Sequence, residues 1–254
     1  MTEGTKIALW KLGIFIFLMG TWEICARTGV IDPFWTSSPS LVAAEFSKSL
    51  GKNEIVYHTG VTMWEAMTGL VAGAIVGISL GLLLGVSRVL GAALEPFIIA
   101  LNSLPRVALA PLIVMFVGIG FASKFLLAFS LVVVPLMINT YEGIKSTDPQ
   151  LYNMLRIAGA RRDQVFRKLL LPNCIPWIFS ALRVSISFAI IGAIVGEFIS
   201  ARAGIGYLID SAAGAFDTTA MIMPLIVLMV LAYVLDRLFV KTSDRLLRWR
   251  VATH

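Results

Sequence analysis

The residues able to do chemistry are few, and the informative ones stand inside apolar runs. His58 and His254 are the only imidazoles, and Cys25 and Cys174 the only thiols. Neither cysteine sits in a CxxC or metal-ligand spacing, so structural zinc and dithiol chemistry have no basis. There is no GxxxxGK[ST] phosphate loop and no HExxH pair, which leaves no catalytic residue, no metal site and no cofactor expected in this chain. Arg106, by contrast, lies between Pro105 and Pro111, beside Asn102 and Ser103, in an otherwise apolar stretch, and Glu197 precedes Ser200, Arg202 and the turn Gly204-Ile205-Gly206. An ionisable group at membrane depth costs about 2.5–3.5 kcal/mol to insert, so each of these calls for a role or a partner.

Arg106 has two readings. With Asn102 and Ser103 it lines a translocation path, where the guanidinium offers positive potential to an anion and the proline-broken backbone is tolerated against protein or water. Otherwise it is structural, paired with Glu95 or Glu142 or snorkelling to an interface. Glu197 likewise belongs to a gate with Gly204 and Gly206, or caps a helix and pairs with a neighbouring arginine.

The elements that hold these residues follow from composition. Of 254 residues, 58% are hydrophobic and 14% charged, and the mean hydropathy is +0.87. A soluble domain of this size cannot hide so much apolar surface, which excludes a soluble enzyme and a disordered chain. The expected fold is an all-α membrane protein forming one domain, residues 1–254, with six transmembrane helices near 7–26, 61–86, 93–117, 125–141, 176–200 and 221–239. The first run is longer than a signal-peptide apolar region and lacks an obvious small-x-small cleavage site, so it is read as a span. In the second, Gly69, Gly73, Gly77, Gly81 and Gly85 recur at every fourth position, a small-xxx-small face for close helix packing within the subunit or against a second copy.

Lysine and arginine set the orientation. With the N-terminus inside, the inner segments hold 14 of the 21 (Lys6, Lys11, Arg88, Lys145, Arg156, Arg161, Arg162, Arg167, Lys168, Arg237, Lys241, Arg245, Arg248 and Arg250). The outer segments hold 5 (Arg27, Lys48, Lys52, Lys124 and Arg202), and Arg106 and Arg183 lie within spans. Both termini are therefore expected in the cytoplasm, and the net charge of +6 is a topology signal that removes the main support for nucleic-acid binding.

The inner segment 148–172, between spans four and five, reads DPQLYNMLRIAGARRDQVFRKLLLP. Asp148-Pro149 is a helix-start signature, Gly159 interrupts, and a second helical pattern runs to Pro172, where it is expected to stop. The product is an amphipathic hairpin, lying on anionic lipid through its basic face or docking into a cytoplasmic partner. A glycine between two short helices favours docking, because it makes a compact knob, whereas a helix lying on lipid gains by remaining continuous.

The run GARRDQVFRKLLLP from Gly159 resembles the EAA loop of bacterial ABC-importer permease subunits; SLPRVALAPLIVMFVGIGFASKF from Ser103 and VGEFISARAGIGYLI from Val195 resemble the nitrate, sulfonate, taurine and bicarbonate branch of that binding-protein-dependent family. The resemblance implies an inner-membrane permease subunit, itself not an enzyme, forming the path for a small anionic solute. It implies docking of ATP-binding subunits, which carry the ATP and magnesium, on coupling helices at Asn153, Gly159, Ala160, Arg161, Arg162, Phe166, Leu171 and Pro172. It also implies a second, identical copy and an extracytoplasmic solute-binding protein. The chain departs from the family pattern at Asn153, where a glutamate is usual, at Met154 and Leu155, where alanines are usual, and at Phe121, a position often acidic in this branch. A gradient-driven secondary transporter would need paired acidic groups and an internal repeat, and a membrane scaffold would need no path.

Overall fold

A computed structural model describes residues 3–200 and 202–246; Arg248, Arg250 and His254 lie outside them. All regular structure among the described residues is helical. In chain order the helices are α1 (Glu3–Arg27), α2 (Pro33–Thr36), α3 (Pro39–Gly51), α4 (Glu54–Val86), α5 (Arg88–Ser103), α6 (Ala110–Val117), α7 (Phe121–Lys145), α8 (Pro149–Ile157), α9 (Arg162–Val165), α10 (Leu171–Ser200), α11 (Ile205–Gly214) and α12 (Thr218–Leu246). A 3-10 turn, Arg106–Leu109, joins α5 to α6, and a π-helical segment, Phe166–Leu170, joins α9 to α10.

Five of these helices are long and apolar enough to cross a membrane, taking α9, the π segment and α10 as one. The α5–α6 pair makes a sixth if counted as one span, but it is bent by 77°. The bend has a local cause. Pro105 has no N–H to give, and the 3-10 turn begins directly after it. Pro111 sits in the first turn of α6, where a missing N–H costs nothing. Pro96, in contrast, is carried inside α5.

The core is built from α4, α7 and α10. Ala66 of α4, Val132 and Leu136 of α7, and Ala181, Ala189, Ile190 and Ala193 of α10 form its buried centre. The glycine face of α4 packs on α7 within the subunit. A Cβ on Gly69 would lie 2.5 Å from the Ala128 Cβ, one on Gly77 2.5 Å from the Val133 carbonyl oxygen, and one on Gly81 2.5 Å from the Met137 carbonyl oxygen. Gly85 meets Ile144 in the same way. On the other side of α7, a Cβ on Gly192 of α10 would fall 2.6 Å from the Ala128 Cα. Backbones in this three-helix unit therefore touch, which is how helices gain dispersion energy where lipid removes the hydrophobic drive. Outside the unit, α1 is exposed along its length except at Ala26 and a few half-buried neighbours.

Several sequence expectations need correction. The segment 28–60, between the first two expected spans, contains α2 and α3, and α4 already starts at Glu54. Asp32 accepts from the Phe34 N–H and Ser38 from the Leu41 N–H, each followed by proline at the first helical position. After Gly204 the chain continues as the helix α11. Lys124, placed outside by its charge, lies in the first turn of α7 and is buried.

Pro172 does not stop the second helix of the 148–172 segment. The Leu171 N–H reaches back to the Phe166 carbonyl, a five-residue step, and this widened turn lets the helix pass through Pro172 into α10. The first helix of the segment starts as expected: Asp148 caps α8 by accepting from the Gln150 N–H at 2.7 Å. Gly159, at φ +80°, closes it as the Ala160 N–H returns to the Leu155 carbonyl and its own N–H to that of Arg156.

Gly77→Leu should force α4 and α7 apart and destabilise the purified protein by about 1–3 kcal/mol, whereas Gly60→Ala, where nothing lies within 4 Å of an added Cβ, should leave it unchanged. Thermal unfolding in detergent, followed by loss of the monodisperse chromatographic peak, measures both.

Candidate functional site: a polar cavity, a buried charge cluster and a docking hairpin

The chemistry-bearing residues fall into three places. The first is a cavity of about 290 Å³ among α5, α7 and α10, lined by Asn102, Pro135, Asn139, Ser180, Val184 and Phe188, with Ile138 and Ala181. Asn139 donates its side-chain amide back to the Pro135 carbonyl, one turn earlier in α7, at 2.8 Å; Pro135 is carried inside the helix. Arg106 stands beside this cavity. Its Nη2 donates to the Asn102 Oδ1 at 3.2 Å and its Nη1 to the Ser130 carbonyl at 3.3 Å. Among the described residues no carboxylate pairs with it, because Glu95 and Glu142 both face Lys145, at 3.3 and 3.9 Å. The structural pairing considered for Arg106 is therefore not formed. Ser103 does not reach the cavity; its hydroxyl bonds the Ile99 carbonyl one turn back.

The second place lies at the opposite end of α10. Glu197 is buried, accepting from Thr62 Oγ1 at 2.7 Å and from the Gly206 N–H at 2.6 Å. The Ile205 N–H donates to Thr62 Oγ1 at 2.8 Å and the Gly204 N–H to His58 Nδ1 at 2.9 Å. Thus α4 and α10 together satisfy the first backbone donors of α11, a demand every helix start makes. Gly204 has φ +116°, and a side chain there would overlap the Glu197 carboxylate. Glu197, Gly204 and Gly206 are accordingly brought together, with Glu197 as the cap and Thr62 as its second partner in place of an arginine.

Next to it lies a pair that sequence reasoning missed. Lys124 Nζ of α7 donates to Glu65 Oε1 of α4 at 2.8 Å, with both side chains below a tenth exposed. The second oxygen, Glu65 Oε2, has no hydrogen-bond partner. The signal was available, since Glu65 is the one charge in the run 61–86. A second missed pair joins α10 to α12: Arg183 grips Asp236 through two bonds, at 2.6 and 3.0 Å.

The third place is the hairpin of α8 and α9. Leu151, Met154 and Ile157 expose one apolar face of α8, with Ile157 89% exposed. Asn153, Gly159, Arg161 and Arg162 are exposed around it, whereas Ala160, Phe166, Leu171 and Pro172 are half-buried towards the base. The Gln164 carboxamide accepts from the Arg161 N–H at 2.9 Å and caps α9. Asn173, also missed, fixes the hairpin to α7: its amide donates to the Gly143 carbonyl at 3.0 Å and faces Ser146 and Thr147 at 3.3 and 3.2 Å.

Comparison with known proteins places this geometry in context. The family model for the binding-protein-dependent transport system inner membrane component matches residues 69–248. The chain is 35% identical over 233 residues to a riboflavin transport system permease protein of Chloroflexus aurantiacus, covering 89% of this chain and 87% of that one. It is 31% identical over 236 residues to a formylaminopyrimidine transport permease protein of Halalkalibacterium halodurans, covering 93% and 94%. To a putative aliphatic sulfonates transport permease protein of Escherichia coli it is 30% identical over 249 residues, covering 98% and 90%. Among solved structures, the fold is similar to that of the methionine ABC transporter MetNI in inward-facing conformations, with a TM-score of 0.62 at 21% identity over 74% of this chain and 92% of that one.

Removing one member of the buried pair strands the other. Lys124→Met should cost about 3–5 kcal/mol of stability, and Lys124→Met with Glu65→Leu should recover most of it. Thermal denaturation of the two variants in detergent measures the difference; equal losses would mean that the pair is not coupled.

Proposed function

Because the chain belongs to the binding-protein-dependent inner-membrane permeases of ABC importers, we propose that the cavity among α5, α7 and α10 is its translocation path and that the path carries a small anionic solute of the sulfonate, taurine, nitrate or bicarbonate class. Permeases of this family work with ATP-binding subunits and a solute-binding protein, and they are not enzymes. The observation that carries the reading is Arg106: a guanidinium with no carboxylate partner, held by neutral groups at the edge of a cavity lined by Asn102, Asn139 and Ser180. An unneutralised cation beside neutral donors attracts an anion without trapping it as a permanent salt bridge would.

The remaining parts follow from the same reading. The hairpin 148–172 faces the cytoplasm with both termini, and the apolar face of α8 enters the ATP-binding subunit, which binds ATP and magnesium. Phe97, Leu101, Met115 and Phe116 leave the bent α5–α6 unit with an exposed apolar surface beside the cavity, which supports a second copy of the chain closing the path. Glu197, Gly204 and Gly206, at the other end of α10, serve as the outer gate, since breaking one carboxylate's bonds frees the start of α11.

A second reading of the cargo rests on a specific observation. Paired carboxamides at Asn102 and Asn139 and the Phe188 ring in one cavity suit a polar heterocycle, which hydrogen-bonds along its edge and stacks through its face. Relatives named for riboflavin and formylaminopyrimidine agree with that chemistry.

Reconstitution with the ATP-binding subunit and binding protein tests both. Uptake should require ATP, and Arg106→Gln should lower alkanesulfonate uptake by about 10-fold or more, the value of a lost charge-assisted bond, with ATPase assembly intact. Unchanged uptake of the anion would remove Arg106 from the path. Heterocycle uptake that depends on Asn139 and not on Arg106 would select the second reading.

A further inference from the structure

A larger cleft, of about 810 Å³, lies behind the hairpin, between it and the ends of α4, α5 and α7. Its walls differ in chemistry. Towards the bundle they combine the apolar side chains of Leu84, Val86, Val89 and Ile144 with Ser87, Tyr141 and Glu95; towards the hairpin they carry Arg156 and Arg162. Lys145 also lines the cleft, but Glu95 and Glu142 occupy it. Arg156 and Arg162 are exposed and have no carboxylate partner among the described residues. The apolar wall opens outward, since Val86 is 55% and Val89 82% exposed, continuous with the lipid-facing end of α4.

Helix α8 separates this cleft from its own exposed apolar face, although Arg162 and Phe166, named among the docking residues, line the cleft as well. Pro149, Tyr152 and Arg156 line the cleft, and their spacing puts them on one face of α8. Leu151, Met154 and Ile157 lie on the opposite side and are exposed. The hairpin thus presents one face away from the bundle and another back towards the bilayer.

We propose that this cleft binds an acidic phospholipid of the cytoplasmic leaflet, with its phosphate between Arg156 and Arg162 and its acyl chains leaving past Val86 and Val89. The proposal rests on the cytoplasmic placement of the hairpin stated above. A soluble anion would use the arginines and gain nothing from the apolar wall. A neutral lipid would use the wall and leave two guanidinium groups unmatched. Only an amphiphilic anion satisfies both walls at once, and basic pockets beside membrane helices at the cytoplasmic level favour such head groups. A lipid seated there would brace the hairpin against the ends of α4 and α5, on the side opposite its docking face.

Native mass spectrometry of the permease–ATPase complex, from phosphatidylcholine nanodiscs doped with phosphatidylglycerol, tests the assignment. The wild type should retain phosphatidylglycerol in preference to phosphatidylcholine. Arg156→Gln should retain about 5-fold less, the worth of one basic residue near a lipid surface. Ala92→Phe, which fills the cleft without altering charge, should also release it. Glycerol 3-phosphate or inorganic phosphate displacing the lipid at equal concentration would overturn the lipid assignment in favour of a soluble anion. Equal retention of both lipids, or retention unaffected by both variants, would overturn it outright. ATP-driven uptake measured on the same complexes keeps the two readings separable: lipid selectivity lost while uptake persists defeats only the lipid site, and a wild type that neither assembles with the ATPase nor takes up solute defeats the importer reading while lipid retention by the permease is still read.

Discussion

Everything in this subunit is referred to the backbone contact between α4 and α7. Five glycines of α4 lie where any side chain would collide with α7, and the collisions would be with Ala128, Val132, the Val133 and Met137 carbonyls and Ile144. Such a contact cannot slip by a residue, because a shift of one position would press side chains against backbone. It also cannot tilt freely, since its collision points run from Gly69 to Gly85 of α4 and from Ala128 to Ile144 of α7. Gly192 of α10 extends the same close approach to a third helix. In a solvent that does not drive apolar groups together, this dense packing is what gives the three helices one arrangement rather than several.

That rigidity explains the placement of charge. Glu65 and Lys124 meet at 2.8 Å because α4 and α7 are already locked at that level. A buried pair repays its desolvation only when its geometry is held, so the glycine face precedes the ion pair in the logic of the fold. The same frame presents Thr62 to Glu197 and, through both, to the first N–H groups of α11. The Glu197 cluster and the frame are therefore one hydrogen-bonded network, in which α4 holds the start of α11.

The extent to which the sequence was legible follows from what kind of signal each feature leaves. Long apolar runs are one-dimensional signals, and the helices they predict are present. So are the Asp148 cap and the Gly159 turn, which depend on residues within a few positions of one another. The glycine period was visible, but its partner was not: spacing states that something comes close and does not state what. Lys124 reads in the sequence as a charge between spans, and only a carboxylate on a facing helix accounts for its burial; Glu65, alone in its run, is that clue. Pro172 was read as a stop because proline usually is one, and the π turn that admits it has no sequence period of its own. Helices α2 and α3 are too short to leave a membrane-span signal, although Asp32-Pro33 and Ser38-Pro39 carry the same start signature as Asp148-Pro149.

The π turn also bears on how force would travel. The hairpin is not hung from a loop; α9 runs through Phe166–Leu170 into α10 without a break, and Asn173 ties that junction to the end of α7. A push on α8 would thus reach α10 along a helix and α7 through three polar contacts. A regular α-helix at the junction would be stiffer, but Pro172 forbids the bond it needs, and the wider turn is the remaining way to keep the chain helical. Because α10 carries Ser180 beside the polar cavity and Glu197 at its far end, displacement along this one helix acts on both places together. The frame of α4 and α7 is held by backbone contact, and α10, which joins the hairpin, the cavity and the Glu197 cluster, is the element along which a displacement would be shared.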